Sequence, residues 1–216
     1  MIEHELRVRR RARYYSLGDL TAASDVWVVV HGYGQLAREF IADCEALVAP
    51  GRAVVAPEAL NRFYKDDGRA GTHANTPVGA TWMTREHREA EIADYVEYLD
   101  HLAQEVCARG GRLGVVGFSQ GVPTVTRWVA SGSALFHRIV LWAGELPTDV
   151  DLGAARERFP ASGVDFVLGT RDAYGEWINA DKQLGRLAAA GIAARLVSFD
   201  GGHRLDHDTL VSLANR

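Results

Sequence analysis

Apolar and polar positions along this chain switch between two periods. The stretch DVWVVVHGYG is apolar without interruption from Val26 to Val30 and then meets a glycine, the pattern of a strand buried on both faces. LAREFIADCEALV follows, with Leu36, Phe40, Ile41, Cys44 and Leu47 on one helical stripe. RAVVAPEAL is the next short strand. Further on, Ile92, Val96, Leu99, Ala103 and Val106 hold the helical period, with Thr84 expected as N-cap, Glu86 in the first turn and Gly110-Gly111 as the stop. LGVVGF, RIVLWAG, VDFVLGTRD and AARLVSFDGGH read as strands. The segment from Gly121, WINADKQLGRLAAAG and DHDTLVSLANR read as the helices between and after them. At the start, ELRVRR and ARYYSL read as an opening pair of strands. The alternation predicts an α/β protein with a mostly parallel, doubly wound sheet of about eight strands and helices on both faces. Ligands of such sheets bind outside the carboxyl ends of the strands. Residues 61–82 follow neither period, and an irregular connection of that length is expected near a functional site.

The bulk numbers narrow the picture modestly. A chain of 216 residues, 47% hydrophobic and 24% charged, suits one globular domain over residues 1–216, and it contains no repeat, low-complexity tract or large cap domain. A net charge of −4 supplies no attraction for nucleic acid or an anionic membrane surface. Arg7, Arg9, Arg10, Arg11 and Arg13 are read as solvated charges on an edge hairpin, where they discourage edge-to-edge pairing. Only Cys44 and Cys107 are present, which excludes a disulfide framework, and both fall in apolar helical patterns that suit buried free thiols and a reducing, cytoplasmic location. No apolar run reaches membrane-spanning length and no apolar h-region follows the first arginines, so neither membrane insertion nor a secretory signal is expected. A homodimer stays open.

The chemistry gathers at strand ends. Gly117-Phe118-Ser119-Gln120-Gly121 lies where a buried strand hands over to a helix. In such an elbow the serine occupies a strained turn, and side chains two before and two after it would collide with neighbouring backbone. A serine hydroxyl needs a base, and the base needs a group to orient it. Of the eight histidines, His203 in SFDGGH follows the last strand at a sharp glycine turn, with His207 in the closing helix as rival. Asp172 in GTRD follows the strand between serine and histidine, with Glu145 after LWAG as the alternative acid. Two N–H groups are expected to meet the developing oxyanion: that of Gln120, and that of Tyr33 in His31-Gly32-Tyr33-Gly34, with Gly34 in reserve. Phe63, Tyr64, Trp82 and Met83 are candidates for an apolar wall beside the serine, or simply for packing of their loop on the sheet. Trp142 carries the same two readings. No metal-ligand spacing is present, and His73 is read as a loop histidine.

With HGYG, GFSQG, GTRD and GGH in this order, the chain resembles the carboxylesterase/phospholipase family of α/β-hydrolases, which includes the acyl-protein thioesterases and many small bacterial serine esterases. The resemblance runs from the third strand to the closing helix. It implies a Ser119-Asp172-His203 triad, an oxyanion hole at Tyr33 and Gln120, and cleavage of ester or thioester bonds in small molecules without metal or organic cofactor. DAYGEW after the acid and Val122 after the elbow depart from the acyl-protein thioesterase pattern and weaken any transfer of lipid-thioester specificity. Arg62 to Thr84 resembles a subgroup of small bacterial esterases. The expectation is therefore a serine esterase for short to medium acyl chains, with a thioesterase, lysophospholipase, amidase or non-catalytic binder of the same fold as alternatives.

Overall fold

The computed structural model describes residues 1–66, 74–107 and 110–216. In chain order it contains β1 (Tyr14–Leu17), β2 (Asp25–Val30), the short helix α1 (Ala37–Phe40) continued by a 3-10 helix (Ala42–Leu47), and β3 (Arg52–Pro57). Next come β4 (Asn61–Tyr64), β5 (Val78–Thr81), α2 (Arg88–Val106), β6 (Arg112–Phe118), α3 (Gly121–Ser131) and β7 (Arg138–Trp142). The chain closes with β8 (Val164–Gly169), α4 (Gly175–Ile178), α5 (Ala180–Ala189), β9 (Ala194–Phe199) and α6 (His207–Ala214). The central sheet has seven strands in the order β1-β3-β2-β6-β7-β8-β9, all parallel except β1, which runs antiparallel to β3.

The uninterrupted apolar run of β2 is explained by its place inside the sheet. Successive side chains leave a strand on opposite faces, so Val26, Val28 and Val30 enter one core while Trp27 and Val29 enter the other. Leu99 of α2 and Val125 and Trp128 of α3 close the first core. Phe40, Cys44, Leu47 and, from α6, Leu210 and Leu213 close the second. Arg127 on α3 is nearly buried and grips Asp149 with two bonds of 3.0 and 2.8 Å, which Arg88 of α2 joins at 2.9 Å. The Arg127 and Arg88 guanidiniums hold the Asp149 carboxyl far below the usual carboxylate range, against the desolvation that opposes them. This pins the loop after β7.

Three expectations need correction. ELRVRR forms no strand: residues 1–13 carry no regular structure, and Leu6 and Val8 are 85% and 75% exposed. A period of two does not supply a sheet face to cover, and the edge beside β3 is taken by β1 alone. The arm instead lies along the start of α2, where Glu5 meets His87 at 2.8 Å. The segment 61–82 is not irregular throughout, because β4 and β5 pair as an antiparallel hairpin. Its middle, with His73, lies outside the described residues. Thr84 does not cap α2: its hydroxyl accepts from Glu86 N–H at 3.2 Å in a turn ahead of the helix, which starts after His87. Among the described residues, no helix is long and apolar enough to cross a membrane.

Candidate active site

Strand β6 delivers Ser119 into a left-handed turn, φ 53°, a conformation costing a non-glycine residue roughly 1–2 kcal/mol. The turn survives because the backbone around it is locked. Ser119 N–H donates to the Trp142 carbonyl at 2.8 Å, and its own carbonyl accepts from Val122 N–H at 2.9 Å. A Cβ on Gly117 would stand 2.5 Å from the Gly121 carbonyl oxygen, and one on Gly121 only 2.2 Å from that of Val30. The two glycines of the elbow are therefore required by contact between β6, α3 and β2.

The loops after β8 and β9 are joined in the same way. Thr170 N–H donates to Phe199 O and Arg171 N–H to Gly201 O, each at 2.9 Å. This brings Asp172 Oδ2 to 2.9 Å from His203 Nδ1, while Asp172 Oδ1 accepts from Tyr174 N–H at 2.9 Å. The Asp172 carboxylate is fully buried and the His203 side chain 23% exposed. A carboxylate only accepts, so Nδ1 carries the proton and Nε2 is left as the basic nitrogen of the neutral ring. Phe118 and Tyr174 flank the imidazole, with ring centroids 4.9 and 4.8 Å away. Glu145 makes no hydrogen bond or ion pair with His203, and His207 is exposed beside Asp208. Of the alternatives, the structure brings Asp172 and His203 together.

The loop after β2 is held by His31, which is completely buried. Ala59 N–H donates to its Nε2 at 3.1 Å, which leaves Nδ1–H to donate to the Gly32 carbonyl at 2.8 Å. Burial lowers the His31 pKa to about 4. Trp82 Nε1–H donates to the His31 carbonyl at 2.9 Å. Gly34 N–H is engaged with Ala80 O at 2.8 Å, and Gly32 N–H with Gln35 Oε1 at 2.8 Å. The N–H groups of Tyr33 and Gln120 have no acceptor among the described residues. Gly34, the reserve donor, is thus occupied, and Tyr33 and Gln120 keep free donors.

Sequence reasoning missed what holds these donors. The Gln120 side chain reaches the end of the hairpin: Nε2 donates to Thr81 Oγ1 at 2.9 Å and to Met83 O at 3.1 Å, and Oε1 accepts from Trp82 N–H at 3.2 Å. Ala80 meanwhile bonds Gly34 and Gln35. Residues 80–83 therefore tie the two donor loops together. Nothing in the local pattern of GATWM announces that role.

Ser119, His203, Tyr33 and Gln120 border one cleft of about 530 Å³, with Pro123, Glu145, Tyr174, Trp177 and Ile178 along its sides. None of the five side chains expected to form its wall borders it. Trp82 and Trp142 are buried in opposite cores, their indole N–H groups bonded to His31 O and Arg204 O. Met83 is half-buried, with its carbonyl turned to Gln120. Phe63 stacks on Tyr33, centroids 5.1 Å apart, and Tyr64 is 48% exposed on the hairpin. The aromatic wall comes instead from Tyr174 and Trp177, at and on the short helix after the acid. The one signal for it was an aromatic pair three residues apart in DAYGEW. A second cleft of similar volume runs along α2 between Glu89 and Gln104, away from all of these groups.

No family model and no curated protein matches the sequence. Solved structures do match in fold. Acyl-protein thioesterase 2 from Zea mays superposes with a TM-score of 0.71 at 16% identity, over 95% of this chain and 97% of that one. Esterase PE8 gives 0.66 at 23% identity over 95% and 97%. A phospholipase/carboxylesterase from Dyadobacter fermentans gives 0.67 at 16% identity over 97% of each chain. Sheet order, elbow and these likenesses converge, and the chain has the α/β-hydrolase fold.

Proposed function

We propose that the protein is a serine hydrolase that cleaves carboxylic esters of short to medium acyl chains. The observation that carries this reading is the Asp172–His203 bond on the same cleft as a strained Ser119 and two unengaged N–H donors. The solved structures of like fold are named esterases and thioesterases, which supports a hydrolase.

Ser119 Oγ attacks the substrate carbonyl while His203 Nε2 accepts its proton. Asp172 keeps the Nδ1 proton in place and stabilises the imidazolium without taking that proton. Negative charge on the carbonyl oxygen meets Tyr33 and Gln120 N–H, where losing one such donor costs roughly 2.7–4 kcal/mol in kcat. Collapse breaks the bond to the alkoxide, which leaves with the proton from His203, and the acyl group stays on Ser119. Water then attacks the acyl-enzyme with His203 again as base, releasing the acid and restoring the serine. The open cleft, bordered by no cap domain among the described residues, suits small esters. The free thiols of Cys44 and Cys107 agree with a reducing, cytoplasmic setting.

The test is fluorophosphonate labelling and hydrolysis of p-nitrophenyl esters of graded chain length by wild type and Ser119→Ala. Wild type is expected to label and to turn over acetate through octanoate, and Ser119→Ala to do neither. Equal labelling in the variant would remove Ser119 from the mechanism.

A further inference from the structure

Among the described residues Glu145 has no hydrogen-bond or ion-pair partner. It follows Gly144, whose added Cβ would stand 2.3 Å from the Ser119 carbonyl oxygen, so the loop after β7 that carries this carboxylate touches the backbone of the elbow. The side chain borders the cleft, is exposed, and makes no hydrogen bond or ion pair. Of the cations on neighbouring elements, Arg127 and Arg88 are engaged with Asp149 and Arg186 with the carbonyls of Leu146 and Pro147, while Lys182 of α5 does not border the cleft. Among the described residues no Lys or Arg borders the cleft, and Glu145 is the one carboxylate that does.

Tyr174 and Trp177 border the same cleft and are 53% and 79% exposed. Neither ring belongs to a core cluster, so neither is needed to close one. Trp177 is open to whatever enters, while Tyr174 packs against the His203 imidazole, centroids 4.8 Å apart, and keeps about half of its surface exposed. Trp is the strongest cation–π partner among the side chains, followed by Tyr. One unpaired carboxylate and two exposed aromatic rings together suit a positive charge and oppose a negative one.

We propose that the cleft takes esters bearing a cationic ammonium group within a few bonds of the scissile carbonyl, the cation resting on Glu145 and the rings of Tyr174 and Trp177. The proposal rests on the serine esterase reading above. A substrate with a carboxylate or phosphate at that place meets Glu145 without a compensating cation and is disfavoured. The net charge of −4 draws substrates of the same preferred sign toward the molecule.

The test compares matched pairs that differ by one charge. Butyrylcholine is set against 3,3-dimethylbutyl butyrate, which puts the cation in the leaving group. The p-nitrophenyl ester of 4-(trimethylammonio)butyrate is set against that of 5,5-dimethylhexanoate, which puts it in the acyl group. In wild type, kcat/KM for the cationic member of at least one pair is expected to exceed that of its neutral isostere about tenfold. The ratio is expected to fall toward one in Glu145→Gln and to drop about threefold or more in Trp177→Leu. A ratio of one or below in both pairs, or a preference that survives Glu145→Gln, overturns the proposal. Calorimetric binding of the same esters to Ser119→Ala reads the preference without turnover. Tighter binding of a cationic member there, with wild type inactive on every ester and unlabelled by fluorophosphonate, would sink the esterase reading and keep the cation site. Turnover with no cationic preference would do the reverse.

Discussion

The floor and the rim of the cleft are built by different means. On the floor, backbone meets backbone: Gly117 against Gly121, Gly121 against Val30, Gly144 against Ser119 and Gly169 against Gly201 leave no room for a Cβ. Ser119 and the proposed triad partners sit where those contacts put them. On the rim, Tyr33 and Phe63 stack on each other, Tyr174 leans on the His203 ring and Trp177 stands in solvent, all on loops or short elements. The floor is set by chain geometry that allows few alternatives, the rim by side chains that substitution can re-aim.

The largest effect expected separates chemistry from architecture on the floor. Asp172→Asn keeps the volume and an acceptor for Tyr174 N–H but no longer fixes the His203 tautomer. Turnover of a p-nitrophenyl ester is expected to fall about 10⁴-fold, with the melting temperature near that of wild type. A loss below tenfold would return Glu145 to consideration as the acid. Gly121→Ala tests the architecture itself. Its Cβ would meet the Val30 carbonyl, part of a central strand that cannot yield as a flexible side chain would. A loss of about 3 kcal/mol or more is expected, read as a fall of roughly 10 °C in melting temperature. An unchanged melting curve would show that the floor gives more easily than the contacts imply.

That contrast also decides what the sequence made legible. Gly117 and Gly121 could be read because a backbone with no room for Cβ leaves glycine in the chain as its trace. Asp172 and His203 followed from their places after β8 and β9. The rim left no such trace. Trp82, Trp142 and Trp177 are all aromatic residues at element ends, yet two fill cores and one stands in solvent. Nothing in the period around each says which way it faces. ELRVRR failed for a related reason, since alternation specifies a strand but not a partner to pair with. The Gln120 bridge was invisible because it joins residues 37 to 39 positions apart through a hairpin the pattern did not reveal.

His31 belongs to the floor through a side chain, so it tests the comparison from another direction. Its folded pKa of about 4 lies below the ordinary histidine value of 6.5, so between those values the unfolded chain binds the extra proton. Its stabilising effect is complete above pH 6.5 and is lost as pH falls toward 4, amounting to about 3 kcal/mol. Urea unfolding across that window should show this loss in wild type and a correspondingly shallower slope in His31→Gln. Identical slopes would mean that the buried imidazole is not held neutral. Gln120→Ala comes next. It keeps the backbone N–H but cuts the tie to residues 81–83, so kcat should fall about tenfold, short of the ~10²–10³ expected for removing a donor outright. Restoration by Gln120→Glu would argue against the amide-specific bonds to Met83 O and Trp82 N–H.

The smallest effects sharpen the comparison most, because two rim aromatics should behave differently. Trp177 borders the cleft and makes no side-chain hydrogen bond or ring contact among the described residues, so Trp177→Ala removes binding surface shared by ground and transition states. KM for a neutral hexanoate ester should rise about fivefold with kcat held. Phe63 lies outside the cleft but stacks on Tyr33, whose N–H is one of the two free donors. Such stacking contributes about 0.5–1.5 kcal/mol, and losing it loosens a donor that matters once charge develops on the carbonyl oxygen. Phe63→Leu should therefore lower kcat about threefold and leave KM nearly unchanged. If both variants shift KM alone, the hairpin is a wall like α4. If they split as expected, the hairpin belongs functionally to the floor although it stands on the rim, and the boundary between the two regions runs between Phe63 and Trp177.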